Sequence, residues 1–600
     1  MASCGIHVAA GVPGETAMTV SSSRLVVSVA SLLGSMAVGA SAAQAATNAV
    51  PVVPKASVPA VPMNPAGEGK PTDAGAKSGG RHGDYTRKAA QGPHAKVVAA
   101  TFFGSEGYEE FVDAGGLPDG TVVAFGNAWG PAFPKKPEPV VLGRGRHSGL
   151  PAVRKQGKGA PSPDYNCPDS AGMMVFFAEN LSAVTRIARM DWGVGNIRAG
   201  LIVDNGRGLV VAGQCHAAFA TFSGGCGKVN VMPFQPPPPD PRKKAAVPAA
   251  RPDVYIARFA ADTLKPLWIW VLEKNGNPPD NIYADKAGAI YFDAGGLRRI
   301  SADGAEMKTA NPKANTGTAK WLGVDQSDGG VFYGGDRNTS TGQEPYRQPY
   351  MYKFDTEGKK IVTLWEPDPK TVGSATGGLM SDSSPRAMAW SKTGELLVAG
   401  WSDGGNSVFP RQALDWHKPA AGGGMGMQTW GMKNANSLGH IMRIDPKTWE
   451  TKAHTWWAAF IPSWFSSPGN RGAPNFVNIG QIAVLGDGSV GVVGSAATGL
   501  IQTPNGFWVD PVDGAKYGGA YVALFLPDLA NLLFSSYLPG YESASLGVTR
   551  KGAVVVGRSA GVDADPVRPT MSPVKNAVQK EFMGNTDAHI IALELPQFPR

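Results

Sequence analysis

The sequence is poor in cysteine, in charged residues and in long apolar runs. Only four cysteines occur among 600 residues, and no Cys-x-x-Cys or Cys-x-x-Cys-His segment is present, which argues against covalent haem attachment. The acidic pattern of a calcium-binding loop and the Gly-x-Ser-x-Gly segment of an esterase nucleophile are also missing. Beyond residue 40 no apolar run reaches the length of a transmembrane helix. Short motifs therefore predict neither a metal site nor a cofactor.

The first 45 residues are typical of an export signal. Translation starts at Met1 or Met18, residues 25–40 are apolar, and a small-x-small pattern ends at Ala45. We expect cleavage after Ala45 and a secreted, periplasmic or cell-surface protein. An uncleaved membrane anchor is the alternative.

Residues 46–94 consist mainly of alanine, proline, glycine and lysine and are predicted to form a disordered linker before a domain at 95–600. The mature chain would retain Cys167, Cys215 and Cys226. A bridge between Cys215 and Cys226 is plausible, but the sequence does not determine the connectivity.

One local pattern recurs along this domain, and no comparable helical pattern lies between its copies. A tight polar turn with glycine runs into a short apolar strand that ends in glycine or aspartate, as expected for a β-hairpin. The seven copies lie at residues 117–126, 203–213, 284–293, 324–334, 390–400, 484–494 and 548–557.

A third strand with alternating aromatic and β-branched residues follows each hairpin, and a fourth strand follows most of them. The third strands are predicted at 173–179, 253–259, 297–301, 350–355, 439–445, 520–525 and 587–594. Repeated four-stranded units of this kind predict an all-β fold, a seven-bladed β-propeller. An open sandwich or two smaller barrels are the alternatives.

The two ends of the domain complement each other. The last hairpin has its third strand at 587–594 but no fourth strand, whereas the domain begins with a lone strand at 97–103. We expect this N-terminal strand to complete the C-terminal blade and close the ring, because closure removes exposed sheet edges.

The repeat resembles the bacterial seven-bladed β-propeller repeat family. The match is strongest in residues 520–557, and Thr101-Phe-Phe-Gly-Ser-Glu-Gly followed by Asn127-Ala-Trp-Gly-Pro-Ala-Phe-Pro is a second close match. The resemblance covers about 95–596 and is weaker between about 280 and 480. It implies an architecture and no common catalytic residues.

Long connections between the second and third strands are predicted to emerge on one face, which we call the loop-rich face. They span 127–171, 214–253, 335–348, 401–438, 495–518 and 559–586. Long loops in a compact domain are commonly functional. The first two are rich in lysine and arginine and would attract a polyanion, although solvated loops have the same composition.

Two groups of residues are candidates for ligand binding. Aromatic loop residues that would stack on a sugar or anchor a protein, or alternatively pin a glycine-rich loop to the domain, are Trp416, His417, Trp430 and Trp464. Residues near the beginnings of the first strands, where the central channel opens, are Glu109, Arg198, Asp280 and Arg386. These would bind a small polar ligand, perform acid–base chemistry, or simply pair with one another.

The sequence thus favours an exported, non-catalytic propeller that binds a protein partner or a polysaccharide, with an anionic partner favoured by the basic loops. Nucleic acid is not expected, because the aromatic interleaving of a single-strand binder is missing. The alternative is a propeller enzyme, either a polysaccharide lyase or hydrolase or a quinone-dependent dehydrogenase, with its site over the central channel.

Overall fold

The computed structural model describes a set of separate ranges, all within one compact unit, Val61–Arg600. These ranges are 93–105, 107–129, 136–142, 170–190, 195–215, 228–232, 253–273, 278–310, 319–338, 347–366, 382–403, 407–416, 418–420, 435–457, 475–497, 500–507, 518–538, 540–560, 574–583 and 586–596. The predicted signal peptide, linker residues 46–92, Cys167 and Cys226 lie outside them.

The described part of the chain is built almost entirely of β-strands. In chain order the strands are β1 (Lys96–Phe103), β2 (Tyr108–Gly116), β3 (Val122–Trp129), β4 (Val140–Leu142), β5 (Ser170–Phe177), β6 (Val184–Met190), β7 (Gly195–Val203), β8 (Gly208–Cys215), β9 (Lys228–Met232), β10 (Asp253–Ala260), β11 (Pro266–Leu272), β12 (Ile282–Ala284), β13 (Ile290–Asp293), β14 (Leu297–Ile300), β15 (Met307–Thr309), β16 (Lys320–Val324), β17 (Val331–Asn338), β18 (Arg347–Phe354), β19 (Lys360–Leu364), β20 (Ser383–Trp390), β21 (Leu396–Ser402), β22 (Ala435–Ile444), β23 (Thr451–Trp457), β24 (Asn475–Val484), β25 (Val490–Ala497), β26 (Gly518–Phe525), β27 (Leu532–Tyr537), β28 (Tyr541–Val548), β29 (Gly552–Ala560) and β30 (Thr586–Glu594). One 3-10 turn, Asp204–Gly206, separates β7 from β8. No helix within these ranges is long and apolar enough to span a membrane.

The strands form a β-propeller arrangement of antiparallel meanders. All seven predicted hairpins are present as antiparallel pairs: β2 with β3, β7 with β8, β12 with β13, β16 with β17, β20 with β21, β24 with β25 and β28 with β29. The N-terminal strand β1 pairs antiparallel with β30, from Lys96 opposite Glu594 to Phe103 opposite Ala588.

Hydrogen bonding gathers the strands into five sheets, fewer than the seven units that the sequence predicts. Three are separate: β7-β8-β10-β11-β9, β12-β13-β14-β15 and β16-β17-β18-β19. A nine-stranded and an eight-stranded sheet contain the remaining strands. A short parallel contact runs through each of these, Tyr108 with Thr586 between β2 and β30 in one, and β22 with β24 in the other. Each of these two contacts joins two four-stranded units into one sheet, so that five sheets are counted where the sequence predicts seven units.

The glycine that ends most hairpins has a structural reason. In β2 the register shifts between Phe111 and Asp113, so that one extra residue forms a bulge, and Gly126 of β3 stands opposite Phe111. A Cβ on Gly126 would lie 2.0 Å from the backbone oxygen of Glu110, so only glycine fits. The same pairing of bulge and glycine recurs at Gly213, Gly400, Gly494 and Gly557.

Parts of the long connections lie along outer strands, which corrects the expectation that they serve only as loops above one face. Strand β4 comes from connection 127–171 and pairs parallel with β6, and β9 comes from connection 214–253 and pairs parallel with β11. Neither strand was predicted. Both cover an outer sheet edge, which would otherwise present unpaired backbone groups.

Two further connections are used in the same way. In residues 500–507 the Thr503 amide donates to Ser535 O of β27 at 3.0 Å. Residues 574–583 lie along β1, where Lys575 exchanges backbone hydrogen bonds with Ala100 and the Lys575 ammonium donates to Val97 O at 2.6 Å. The N-terminal strand is therefore held from both sides.

Arginines help to fix neighbouring units to one another. Each reaches from its own strand to a backbone carbonyl in the turn between the third and fourth strands of the next unit. Arg186 donates to Ala261 O at 2.6 Å, and Arg443 donates to Pro527 O at 2.8 Å. Between the units lie apolar clusters, such as the one that contains Trp457, and they form the core.

Candidate functional site

Two of the predicted channel residues occupy equivalent places in the repeat. Arg198 of β7 and Arg386 of β20 are both the extra residue of the bulge in a first strand. Bulges change the direction in which a side chain points, and they are common beside functional sites. Both arginines lie near the beginnings of their first strands, at the end of the hairpin where the second strand finishes. We call this region, with Tyr108, Glu110, Asn127, Trp401 and Arg558, the mouth.

Glu109 does not belong to the mouth, although it was predicted to do so. Its side chain is only 1% exposed, and Ser105 Oγ donates to Oε1 at 2.6 Å. Burial raises the pKa of Glu109 to about 8; the hydrogen bond from Ser105 opposes this rise, and the nearby Asp587 carboxyl adds to it. Glu109 Oε2 is buried without a hydrogen-bond partner among the described residues. Such a carboxyl is protonated at neutral pH and inaccessible to a large ligand.

Glu110 points to the opposite side of β2, as alternation along a strand requires. Asn127 Nδ2 donates to Glu110 Oε1 at 3.0 Å. Burial raises the pKa of Glu110, whereas the Asn127 hydrogen bond and the positive charges of Arg558 and Arg198 oppose that rise. Arg198 Nε is buried and has no hydrogen-bond partner within the described ranges. The positive charge of Arg198 therefore acts on Glu110, but its Nε–H group lacks a hydrogen-bond acceptor among the described residues.

Asn127 also connects two units. Its Oδ1 accepts a hydrogen bond from the Ile197 amide at 2.6 Å, and its Nδ2 donates to Ile197 O at 2.9 Å. The amide side chain thus pairs with the backbone of β7 as a neighbouring strand would. This contact holds the bulge that contains Arg198 in place.

Tyr108 and Arg558 lie next to Glu110 in the mouth. Arg558 Nη1 donates to the Tyr108 hydroxyl, and the guanidinium carbon lies 5.6 Å from the centroid of the tyrosine ring. Burial raises the pKa of Tyr108, and the neighbouring Glu110 raises it further, whereas Arg558 lowers it. The tyrosine remains a neutral donor at neutral pH.

Arg386 is exposed and lies over an aromatic ring. Its guanidinium carbon is 5.3 Å from the centroid of Trp401, a distance suited to a cation–π contact. Trp401 Nε1 is buried without a hydrogen-bond partner in the described part of the chain. This half of the mouth combines a solvent-exposed cation with an aromatic surface.

The remaining predicted residues are not brought together with these. Asp280 is exposed just before β12, and among the described residues no hydrogen bond or ion pair joins it to Arg198 or Arg386. Trp416 packs against the apolar cluster around Phe409, which agrees with the alternative that it pins its loop. His417, Trp430 and Trp464 lie outside the described residues.

Sequence reasoning missed Asn127, Trp401 and Arg558, although a signal was present. Each stands directly after the glycine that ends its hairpin, namely Gly126, Gly400 and Gly557. Because that glycine faces the bulge, the next residue lies beside the beginning of a first strand. The repeat itself therefore marks the positions that reach the mouth.

Deeper along the first strands, polar side chains join successive units. Ser545 Oγ lies 3.1 Å from both Asp113 Oδ1 and Gln481 Oε1, and its one hydroxyl hydrogen can be donated to either, so that side chains of β24, β28 and β2 meet at one level. Burial raises the pKa of Asp113 to about 6, against the hydrogen bonds from the Gly200 amide, Ser545 and the Ala114 amide. Burial, with a contribution from Asp113, raises the pKa of Tyr283 to about 12.

The described residues differ in chemistry from a cluster of metal ligands. They contain no group of three or more histidine, cysteine, aspartate or glutamate side chains placed to hold a metal ion. The mouth instead presents guanidinium, phenol, amide and indole groups. Together these can donate hydrogen bonds to an anion and contact the apolar face of a sugar.

Comparisons with known proteins add little to the strand topology. No protein-family model matches the chain, and no curated protein matches it. A protein of unknown function from Dyadobacter fermentans DSM 18053 is 11% identical with a TM-score of 0.34, over 84% of this chain and 100% of that one. The β-propeller domain of Cps50 (Swd1) from Myceliophteria thermophila is 8% identical with a TM-score of 0.36, over 83% and 99%. The endosialidase of phage phi92 is 8% identical with a TM-score of 0.33, over 84% and 70%. Similarity at these levels carries no argument about function.

Proposed function

We propose that this protein is a non-catalytic binding propeller and that its mouth binds an acidic polysaccharide. The observation that carries the proposal is the pair of arginines at equivalent bulges, Arg198 and Arg386, one incompletely hydrogen-bonded and the other exposed over Trp401. Guanidinium groups form strong paired hydrogen bonds with carboxylates and sulfates. An indole beside a guanidinium adds a surface on which a sugar ring can stack.

The charge of the region supports an anionic ligand. Among the named mouth residues, Arg198, Arg386 and Arg558 carry positive charge, and Glu110 is the acidic member. Burial raises the pKa of Glu110, and the positive charges of Arg558 and Arg198 oppose that rise. The whole chain carries a formal charge of +8, and the connections 127–171 and 214–253 are rich in lysine and arginine. A polyanion would be attracted from solution.

We further propose that the strands form seven blades closed into a ring. In support, each first strand contacts the next: β2 with β7, β7 with β12, β12 with β16, β16 with β20, β20 with β24, β24 with β28 and β28 with β2. The pairing of β1 with β30 supports closure through the last blade. A ring of this kind brings Arg198, Arg386 and Arg558 to one opening. Export through the predicted signal peptide would place this opening where polysaccharides occur.

The enzymatic alternative has less support. Acid–base chemistry on a polymer needs carboxyl groups that the substrate can reach. Glu109 is shielded from solvent, the Asp113 carboxyl is already occupied by Ser545 and two backbone amides, and Glu110 accepts a hydrogen bond from Asn127. Asp280 is exposed, but among the described residues no hydrogen bond or ion pair joins it to Arg198 or Arg386. Binding is therefore the function that the geometry supports best.

A panel of polysaccharides tests the proposal. The mature protein should bind polymers that carry carboxylate or sulfate groups and should not bind neutral polymers such as dextran, when both are measured by surface plasmon resonance at equal mass concentration. Binding should weaken as salt is raised from about 50 to 500 mM, because screening shortens the range of charge attraction. Equal binding of neutral and acidic polymers, or no binding to any acidic polymer, would exclude the proposed function.

A further inference from the structure

A groove lies on the face opposite the mouth, between the sheet β12–β15 and the sheet β16–β19. Its volume is about 390 Å³, within the range of small-molecule sites. The turn 285–289 forms one wall, and the turns 325–330 and 355–359 form the other. The strands of the first sheet have only three or four residues, whereas β17 and β18 have eight. The unequal size of the two sheets leaves their turns apart.

The floor of the groove is a hydrogen-bonded set of three side chains. Arg299 Nε donates to the Tyr291 hydroxyl at 3.0 Å, and that hydroxyl donates to Asp285 Oδ2 at 3.3 Å. Arg299 Nη2 lies 3.6 Å from the same oxygen. Tyr291 is 1% exposed, so the floor is rigid, whereas the Arg299 side chain is 36% exposed and faces the opening.

The carboxylates that line the groove are already engaged. Asp285 Oδ1 accepts the Ala289 amide at 2.9 Å. Asp328 accepts the Lys353 ammonium at 2.6 Å and the Gly330 amide at 2.8 Å, one on each oxygen. In the third turn, Asp355 Oδ1 accepts the amides of residues 357 and 359. The acceptors of the lining are therefore largely consumed by its own turns and by Lys353.

The donors of the lining are not consumed to the same degree. Arg299 Nη1 has no hydrogen bond among the described residues, and exposed Lys286 has no ion pair among them. Lys308 pairs with Glu306 at 2.9 Å, but both side chains are more than half exposed, and such a pair is worth little. The lining carries three cations, Lys286, Arg299 and Lys308, and three carboxylates, Asp285, Asp328 and Asp355, so its formal charge is balanced. What it offers a ligand are the open N–H donors of Arg299 and Lys286, because the carboxylates already accept hydrogen bonds.

We propose that this groove binds a small molecule with an oxyanion group, a carboxylate, sulfate or phosphate, on a body of about monosaccharide size. The anion lies against Arg299 with Lys286 at the rim, and the hydroxyl groups of Thr309 and Thr356 face the rest of the ligand. Phosphate, sulfate and carboxylate share the oxygen geometry that a guanidinium recognises. The site is separate from the mouth and does not depend on the function proposed for it.

Isothermal titration with inorganic phosphate, inorganic sulfate and glucuronate tests the proposal, with glucose as the neutral comparison. At least one oxyanion should bind with a Kd in the millimolar range or tighter, and glucose should bind at least about tenfold more weakly. Lys286→Gln should weaken the bound oxyanion by about threefold, and Arg299→Gln by about tenfold or more. The same titrations are repeated in the double variant Arg198→Gln/Arg386→Gln, which removes the arginines of the mouth, and the binding that depends on Arg299 and Lys286 should remain.

Arg299→Gln removes a hydrogen bond to a buried tyrosine, so its fold is checked by circular dichroism. Lys286 is exposed, and the fold of Lys286→Gln is checked in the same way. Absence of oxyanion binding at about 10 mM would overturn the proposal. So would binding that both groove variants leave unchanged, or binding that the mouth variant abolishes. The last result would place the anion at the mouth instead, and failure of the groove alone would leave the proposed function of the mouth intact.

Discussion

Replacement of Glu109 by glutamine should change how stability depends on pH. The folded-state pKa of Glu109 is raised by burial from 4.5 to about 8. A carboxyl whose folded pKa exceeds its unfolded value keeps its proton more tightly in the folded state. Its contribution to stability is therefore present at low pH and is lost as pH rises through the folded pKa. At 1.36 kcal/mol per unit, the loss between pH 5 and pH 8.5 is about 4 kcal/mol.

Glutamine has nearly the shape of the protonated carboxyl and retains the oxygen that accepts from Ser105. We expect Glu109→Gln to match the wild type within about 1 kcal/mol at pH 5 and to be more stable at pH 8.5, by an amount on the order of the calculated loss. Urea unfolding from pH 5 to pH 8.5 measures the difference between the two proteins. The stability of the variant is compared with that of the wild type at each pH, because the shifted pKa values of Asp113, His440 and His454 also make stability depend on pH in both proteins.

Glu357→Gln is the matched control, because Glu357 is an exposed turn residue. Its stability should follow that of the wild type across the whole pH range. Parallel curves for Glu109→Gln and the wild type would refute the reasoning, since they would mean that Glu109 titrates with the same pKa in the folded and unfolded states.

Three further predictions concern the repeat, the N-terminal strand and a buried histidine pair. Gly494→Ala should destabilise the protein by about 3 kcal/mol or more in chemical unfolding, because the new Cβ would lie 1.8 Å from Asn478 O. Gly480→Ala is the comparison: its Cβ would lie 3.7 Å from Val493 O, and the change should cost less than about 1 kcal/mol. Deleting residues 46–92 should leave the melting temperature nearly unchanged. Deleting residues 46–104 should lower the melting temperature strongly or cause aggregation, because β30 then loses its partner strand β1. An unchanged melting temperature after the longer deletion would contradict the role of β1. His440 Nδ1 and His454 Nε2 lie 3.0 Å apart, and burial lowers the pKa of His454 to about 3, so stability from this pair should fall as pH drops below 6.5. His454→Gln should reduce that acid sensitivity in thermal unfolding, and an unchanged slope between pH 6.5 and 4 would argue against a neutral pair.

The repeated hairpins were predictable because each combines a glycine-containing turn with an apolar strand, and both signals are local. Strand β15 was not predicted, since its three residues, Met307–Thr309, contain too little apolar alternation to be distinguished from a loop. Strands β4 and β9 were not predicted either. They pair with strands far from them in sequence, and only that pairing makes them strands.

The sequence named Arg198 and Arg386 as candidates because both stand near the beginnings of first strands, but it did not predict the bulge that each of them forms. Their role in binding stays a prediction. Glu109 was misplaced because alternation along β2 assigns neighbouring residues to opposite sides, and the sequence does not state which side faces the channel. Trp401 was missed because its role depends on the bulge opposite Gly400.

Titration of an acidic polysaccharide against mouth variants tests the central claim most directly. The double variant Arg198→Gln/Arg386→Gln should weaken binding by at least about tenfold, since each charged hydrogen bond is worth about 1.5–3 kcal/mol. The control Arg207→Gln replaces an exposed arginine on the opposite face and should bind like the wild type. Undiminished binding by a correctly folded double variant would contradict the account and move the binding surface away from the mouth.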